Sequence, residues 1–149
     1  MSLVTAEENS AFFAEVAERS AASGWCAIGT LHNGEPRVRT VHPTWDGDIA
    51  WFCTKLLSPK AQELRASPLI DLHWQVSPPD FFHVKARGRV ELYTDVETKQ
   101  YMWDVMDFDL SKFATGPSDP AIVAIKVIPT RVEISQSFGH QNIRVWNRK

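Results

Sequence analysis

Two dipeptides limit this chain more than anything else in it: Asn33-Gly34 and Asp46-Gly47, each set between stretches rich in β-branched and aromatic residues. Asn-Gly and Asp-Gly reach the positive φ values of the tight turns whose twist suits a pair of antiparallel strands. The segments "WCAIGTLH", "RVRTVHPTW" and "IAWFCT" are therefore expected to form a three-stranded antiparallel meander, the last two being hairpin partners.

Further along, "LIDLHWQV" and "FFHVKARGRVELY" read as strands separated by the loop "SPPD", with Gly88 marking a bend or bulge. A long last strand, "AIVAIKVIPTRVEIS", carries Pro129, which argues for a bulge or a sheet edge. Thr5 and Glu8 have capping-box spacing, and Phe12, Phe13, Val16 and Ala17 then recur at helical intervals up to Gly24. A short helix over 59–66 has Ser58 as N-cap and Pro59 at its first position, and stops before Pro68. Thr94 and Glu97 suggest a second capping box opening "DVETKQYMWDVM", whereas the C-terminal "QSFGHQNIRVWNRK" shows no clear period. With no repeat or linker, residues 1–149 are read as one domain, mainly β within the α+β class: an antiparallel barrel of about six strands with peripheral helices.

Charge and cysteines narrow the function classes. The 16 basic and 18 acidic residues are scattered, which leaves no electrostatic footprint for nucleic acid or an acidic membrane. No apolar run approaches the roughly 18 residues of a membrane span, and no basic-then-apolar leader opens the chain. Cys26 and Cys53 sit in apolar runs without C-x-x-C spacing, as expected of reduced thiols in a cytoplasmic protein; whether they pair depends on geometry. His32, His42, His73, His83 and His140 lack metal-ligand spacing and read as satisfied surface or sheet histidines, so no metal is expected. No G-x-S-x-G elbow or other nucleophile signature is present.

The stretch "TKLLSPKAQELRASP" (54–68) is where chemistry is expected. At a helix start the first N–H groups lack intrahelical partners and the peptide dipoles favour an anion. Pro59 removes one of those donors, so side chains would supply part of the grip: the Ser58 and Thr54 hydroxyls, Lys60 as a mobile charge and Arg39 as a rigid fork. Ordinary capping of a surface helix is the competing account on pattern alone.

The motifs "RTV" (39–41), "FCTKLLSPK" (52–60) and "FHVKARGRVEL" (82–92) resemble the pyridoxamine 5′-phosphate oxidase superfamily of FMN-binding split barrels, general-stress-protein branch, over roughly residues 10–134. The resemblance implies that Arg39, Ser58 and Lys60 hold the FMN phosphate. It further implies that Thr40, Val41, Phe52, Cys53 and Thr54 border the cofactor, Val41 through its backbone, and that His83 stands where the family carries a glutamine toward it. Cys53 replaces a tyrosine, Val105 and Asp109 stand where an arginine and a serine follow Tyr101, and "RVWNR" (144–148) stands in for Arg-x-His-x-Arg. The implied protein is an FMN-dependent oxidoreductase of unassigned substrate rather than a true pyridoxamine phosphate oxidase. It is a homodimer with flavin at the interface and no side chain required as acid or base. The alternatives are a non-catalytic flavin-binding stress protein, an F420-binding relative, for which Arg37, Lys55 and Arg87 are not clearly arranged, and an apo scaffold.

Overall fold

The computed structural model describes all 149 residues. The chain runs β1 (Ser2–Leu3), α1 (Asn9–Ser23), β2 (Cys26–His32), β3 (Glu35–Val41), β4 (Thr44–Asp46), β5 (Ile49–Lys55) and α2 (Pro59–Ala66). It continues through β6 (Leu69–Val76), β7 (Phe82–Tyr93), α3 (Val96–Val105), a 3-10 turn (Leu110–Lys112), β8 (Ile122–Gln136) and β9 (Gln141–Asn147). Asn33 and Gly34 take φ of 51° and 77°, and the hairpin they close pairs β2 with β3 from His32↔Glu35 to Cys26↔Val41.

The meander does not continue as expected. "RVRTVHPTW" breaks at His42-Pro43, because proline offers no N–H to a ladder. Its first part stays with β2, and only Thr44–Asp46 pairs with β5. The second turn falls on Gly47 and Asp48, between Asp46 and Ile49. The other side of β5 pairs with β8, not β3, so Arg39 does not flank the strand that feeds α2.

β8 joins the two halves of the fold. One edge pairs with β7 from Ala124 to Gln136; the other pairs with β5 over Ile122–Val127 and with β9 over Arg131–Gln136. The changeover occurs at Pro129, opposite Gly88, where the ladder shifts register. A Cβ on Gly88 would lie 2.2 Å from the Ile128 carbonyl oxygen, so the bulge expected there requires glycine. The sheet order β1-β9-β8-β7-β6-β2-β3, with β4 and β5 off that path, is a split, unclosed barrel. It has nine strands where six were expected: β9 and β1 add an unforeseen edge, and Pro43 cuts one strand in two. β9 escaped detection because its burial does not alternate.

α1 lays Phe12, Phe13 and Val16 into the barrel, in one core with Ile28, Phe52, Leu64 and Trp74. Glu8 accepts from the Thr5 N–H and hydroxyl at 3.1 and 2.7 Å, yet the helix itself starts only at Asn9. For α3 the cap is Asp95, one residue past the expected Thr94, accepting from the Thr98 N–H at 2.9 Å. α2 begins as its sequence requires, with Ser58 extended and its hydroxyl accepting from the Ala61 N–H at 3.2 Å. Both cysteines are free. No helix is long and apolar enough to cross a membrane.

Candidate functional site

The handover from β5 to α2 gathers polar side chains at one corner. Thr54, the penultimate residue of β5 and 4% exposed, puts its hydroxyl 3.0 Å from that of Ser58. Lys60, the second residue of α2, has no ion-pair partner. Burial and the nearby Arg39 charge pull its pKa below the usual lysine value, with Glu63 opposing.

Arg39 reaches the corner through α2 rather than through β5. Its guanidinium donates to Glu63 Oε2 at 2.6 Å, and the Thr30 hydroxyl donates to Glu63 Oε1 at 2.8 Å. Burial pushes the Glu63 carboxyl up, but the Arg39 and Thr30 hydrogen bonds and the Arg39 charge outweigh it and leave the group below the ordinary carboxylate range. Arg39 Nε remains buried without a partner. Sequence reasoning missed Glu63, since an acid in a short helix usually faces water and nothing in its spacing says otherwise.

Beside this corner opens a cleft of about 380 Å³. Thr40, Val41, Cys53, Thr54 and Lys60 line it, five of the nine residues expected at a cofactor. Its other wall is aromatic: Trp25, His42, Phe108 and Phe113. His42 stacks on Phe108 with ring centroids 4.7 Å apart, and Trp25 stands edge-on to both at 5.3 and 5.6 Å. Lys55 anchors the far side by donating to the Phe113 carbonyl. Burial pushes the Cys53 thiol up to about 11, so it is neutral and no nucleophile. The aromatic wall went unread because its residues come from three separate segments; only the aromatic content hinted at it.

The remaining expected residues lie elsewhere. Arg39 and Ser58 sit behind Lys60 and Thr54 rather than in the cleft wall, and Phe52 turns its side chain into the core at 1% exposure. His83 is not in this cleft: its Nδ1 meets His73 Nε2 at 2.9 Å and its Nε2 meets the Ser137 carbonyl at 2.7 Å. Two larger hollows, of about 430 and 480 Å³, lie on the outer face of β2, β6 and β7, but contain none of the expected residues.

A split barrel carrying a cleft between β3, β5 and the start of α2 defines the class: this is a protein of the split-barrel α+β fold. The family model described as pyridoxamine 5′-phosphate oxidase matches residues 12–136, and the chain belongs to that family. None of the curated proteins matches it. A solved protein related to general stress protein 26 from Clostridium acetobutylicum is similar, with TM-score 0.73 and 20% identity over 93% of this chain and 95% of that one. So is a pyridoxamine 5′-phosphate oxidase-related, FMN-binding protein from Nostoc punctiforme, with TM-score 0.66 and 17% identity over 93% and 90% of the two chains. A protein described as an F420 reductase gives TM-score 0.60 and 23% identity over 79% and 93%. At these identities the likeness is one of fold.

Proposed function

We propose that the cleft holds FMN and that the protein is an FMN-dependent oxidoreductase acting on a small molecule, distinct from a true pyridoxamine phosphate oxidase. The observation that carries this reading is a set of unspent donors at the edge of an aromatic cleft. Lys60, which lines the cleft with Thr54, has no ion-pair partner; Arg39, close enough to Lys60 for its charge to be felt, keeps its Nε buried and unpaired; and the Thr54 and Ser58 hydroxyls meet at the same helix start. A dianionic phosphate suits such a set, because guanidinium, ammonium and hydroxyl donors all make charge-assisted bonds to its oxygens. Trp25, His42 and Phe108 would face the fused ring, with Thr40, Cys53 and the backbones of Val41 and Phe52 bordering it. Bound FMN supplies electron or hydride transfer; the protein binds it, orients it and shields one face from water.

An F420 occupant is the weaker fit. Its acidic tail calls for free cations, whereas Lys55 is bonded to the Phe113 carbonyl, Arg37 lies 4.0 Å from Glu35, and Arg87 lies 3.9 Å from Asp71. A homodimer with the flavin at its interface is part of the same proposal. Val38 and Leu69 are 75% and 57% exposed on the outer sheet face, an apolar surface suited to a second copy. Sedimentation of the purified protein tests it, a monomer at micromolar concentration refuting it.

The deciding experiment is FMN titration followed by fluorescence quenching. Replacing Arg39 and Lys60 together with alanine is expected to weaken FMN at least about 100-fold, with urea unfolding reporting separately the stability lost when Glu63 is left without its cation. Lys60→Ala alone, which removes no ion pair, is expected to cost about tenfold. Unchanged affinity in both would mean that the phosphate is misplaced. Mass spectrometry of the copurified chromophore separates FMN from F420. Faster reoxidation of photoreduced protein by a candidate acceptor than by dioxygen separates an enzyme from a carrier.

A further inference from the structure

Five histidines were expected to be satisfied in the sheet or at the surface, and His42 is not. Its Nδ1 is buried without a hydrogen-bond partner, although the Asp107 carboxylate oxygen Oδ1 lies 3.6 Å away. That carboxylate is held in place. Thr44 donates its hydroxyl to Oδ1 at 2.8 Å, and the Asp107 N–H donates back to the Thr44 hydroxyl at 3.1 Å. The imidazole is clamped between Phe108, stacked at 4.7 Å, and the edge of Trp25 at 5.3 Å. It lines the cleft and keeps 18% of its surface exposed.

These constraints fix the tautomer. A bare lone pair on a buried Nδ1 would face a carboxylate, so the proton of the neutral ring belongs on Nδ1 and the free lone pair on Nε2. Nε2 is then the nitrogen left for the cleft. The other titratable groups of the cleft do not compete for this role. Cys53 is pushed up to about 11, and Lys55 and Lys60 are amines. An imidazole is the one side-chain type there that exchanges a proton near neutrality.

We infer that His42, oriented by Asp107, carries a proton between solvent and the molecule bound in the cleft. The imidazolium gives its Nε2 proton to a basic atom of that molecule: the Nε2–H bond breaks, the new bond to hydrogen forms, and neutral imidazole remains with Nδ1–H toward Asp107. A hydronium ion or buffer acid in solvent then returns a proton to Nε2, leaving water or the conjugate base, and no electron moves in the step. Asp107 is a positioning residue in this scheme. Only the identity of the occupant rests on the FMN reading.

Two measurements test it. In protein with ¹⁵N- and ¹³C-labelled histidine, His42 should show the Nδ1–H tautomer when neutral, and Asp107→Asn should move the tautomer population toward Nε2–H as the carboxylate facing Nδ1 is lost. An Nε2–H tautomer in the native chain, or a tautomer population unmoved by Asp107→Asn, overturns the inference. In FMN-loaded protein, the plot of midpoint potential against pH should show a change of slope that is lost in His42→Gln. Identical plots for the two proteins likewise overturn it. Should FMN fail to bind, the flavin reading falls, while the nuclear magnetic resonance tautomer assignment still decides the His42–Asp107 pair.

Discussion

Two buried polar clusters on this barrel spend their hydrogen-bonding capacity differently. On the β6–β7 side, His83 Nε2 must donate to the Ser137 carbonyl, so His83 Nδ1 accepts from His73 Nε2–H, and every facing nitrogen is paired. In the α2 corner the Glu63 carboxylate is well served by Arg39 and Thr30, but Arg39 Nε and the Lys60 ammonium are left over. Buried polar groups are usually paired, so a closed relay reads as architecture. Leftover donors beside a cleft read as capacity reserved for a ligand. The contrast predicts that mutations in the first cluster act on stability alone, whereas those that remove a donor from the second also weaken binding.

The largest effect should come from Glu63→Ala. It strands the Arg39 guanidinium and the Thr30 hydroxyl at a site where the carboxylate was 5% exposed. Losing one partner of a fully buried pair costs about 3–5 kcal/mol, and because Arg39 is itself 28% exposed we expect about 2–3 kcal/mol in urea unfolding. The freed Arg39 is then expected to hold FMN no more weakly than before. A variant of native stability would show that the pair contributes nothing and would erase the contrast from the corner's side.

His83→Ala comes next, at about 1–2 kcal/mol, since it unpairs the Ser137 carbonyl and His73 Nε2. His83→Gln should recover most of that, because its amide both donates and accepts. FMN affinity should stay within about twofold if each site is built from one chain. A loss of tenfold or more would place His83 at a site shared between two copies, as the resemblance implies, and the relay would no longer be purely architectural.

The same contrast explains what the sequence disclosed. Local signals were legible wherever one short segment decides the outcome. Asn33-Gly34 forces its turn, Ser58-Pro59 its helix start, and Gly88 opposite Pro129 its bulge. Motif order then pointed to the corner and to five of the cleft's residues. What stayed hidden depends on contacts distant in sequence. Glu63 gains its role only when β2 and β3 bring Thr30 and Arg39 over α2; His42 only when the segment after α3 delivers Asp107 and Phe108. The pairing of β5 with β8 instead of β3 was likewise beyond turn chemistry, because Pro43 ends one ladder without saying which strand will replace it.

Thr54→Val sharpens the corner with a smaller change. The valine keeps the shape of the buried side chain and removes its hydroxyl from Ser58, a loss of about 0.5–1.5 kcal/mol by urea unfolding. Ser58 would still cap α2 through the Ala61 N–H, so the helix is retained and any larger loss of FMN affinity reports a direct contact with the ligand. Equal losses of stability and affinity would instead make Thr54 a structural residue.

The smallest effect is a slope with pH. Burial lowers the pKa of His73, aided by the charges of His83 and Lys85. Below the unfolded histidine value of about 6.5, the unfolded chain therefore binds more protons than the folded one, and stability falls until folded His73 takes up its own proton. Glu63 is also depressed, so its contribution is present above the unfolded value of about 4.3 and is lost as pH drops through its folded value. That lower window is shared with Asp95, Asp109 and Asp119, whose pKa values are lowered as well, which leaves the upper window as the diagnostic one. Urea midpoints measured at about pH 7.5, 6 and 5 should decline for the native chain, and the first part of the decline should vanish in His73→Gln. If the decline persisted unchanged in that variant, the relay would not be what titrates, and the distinction between a closed cluster and an open one would rest on the corner alone.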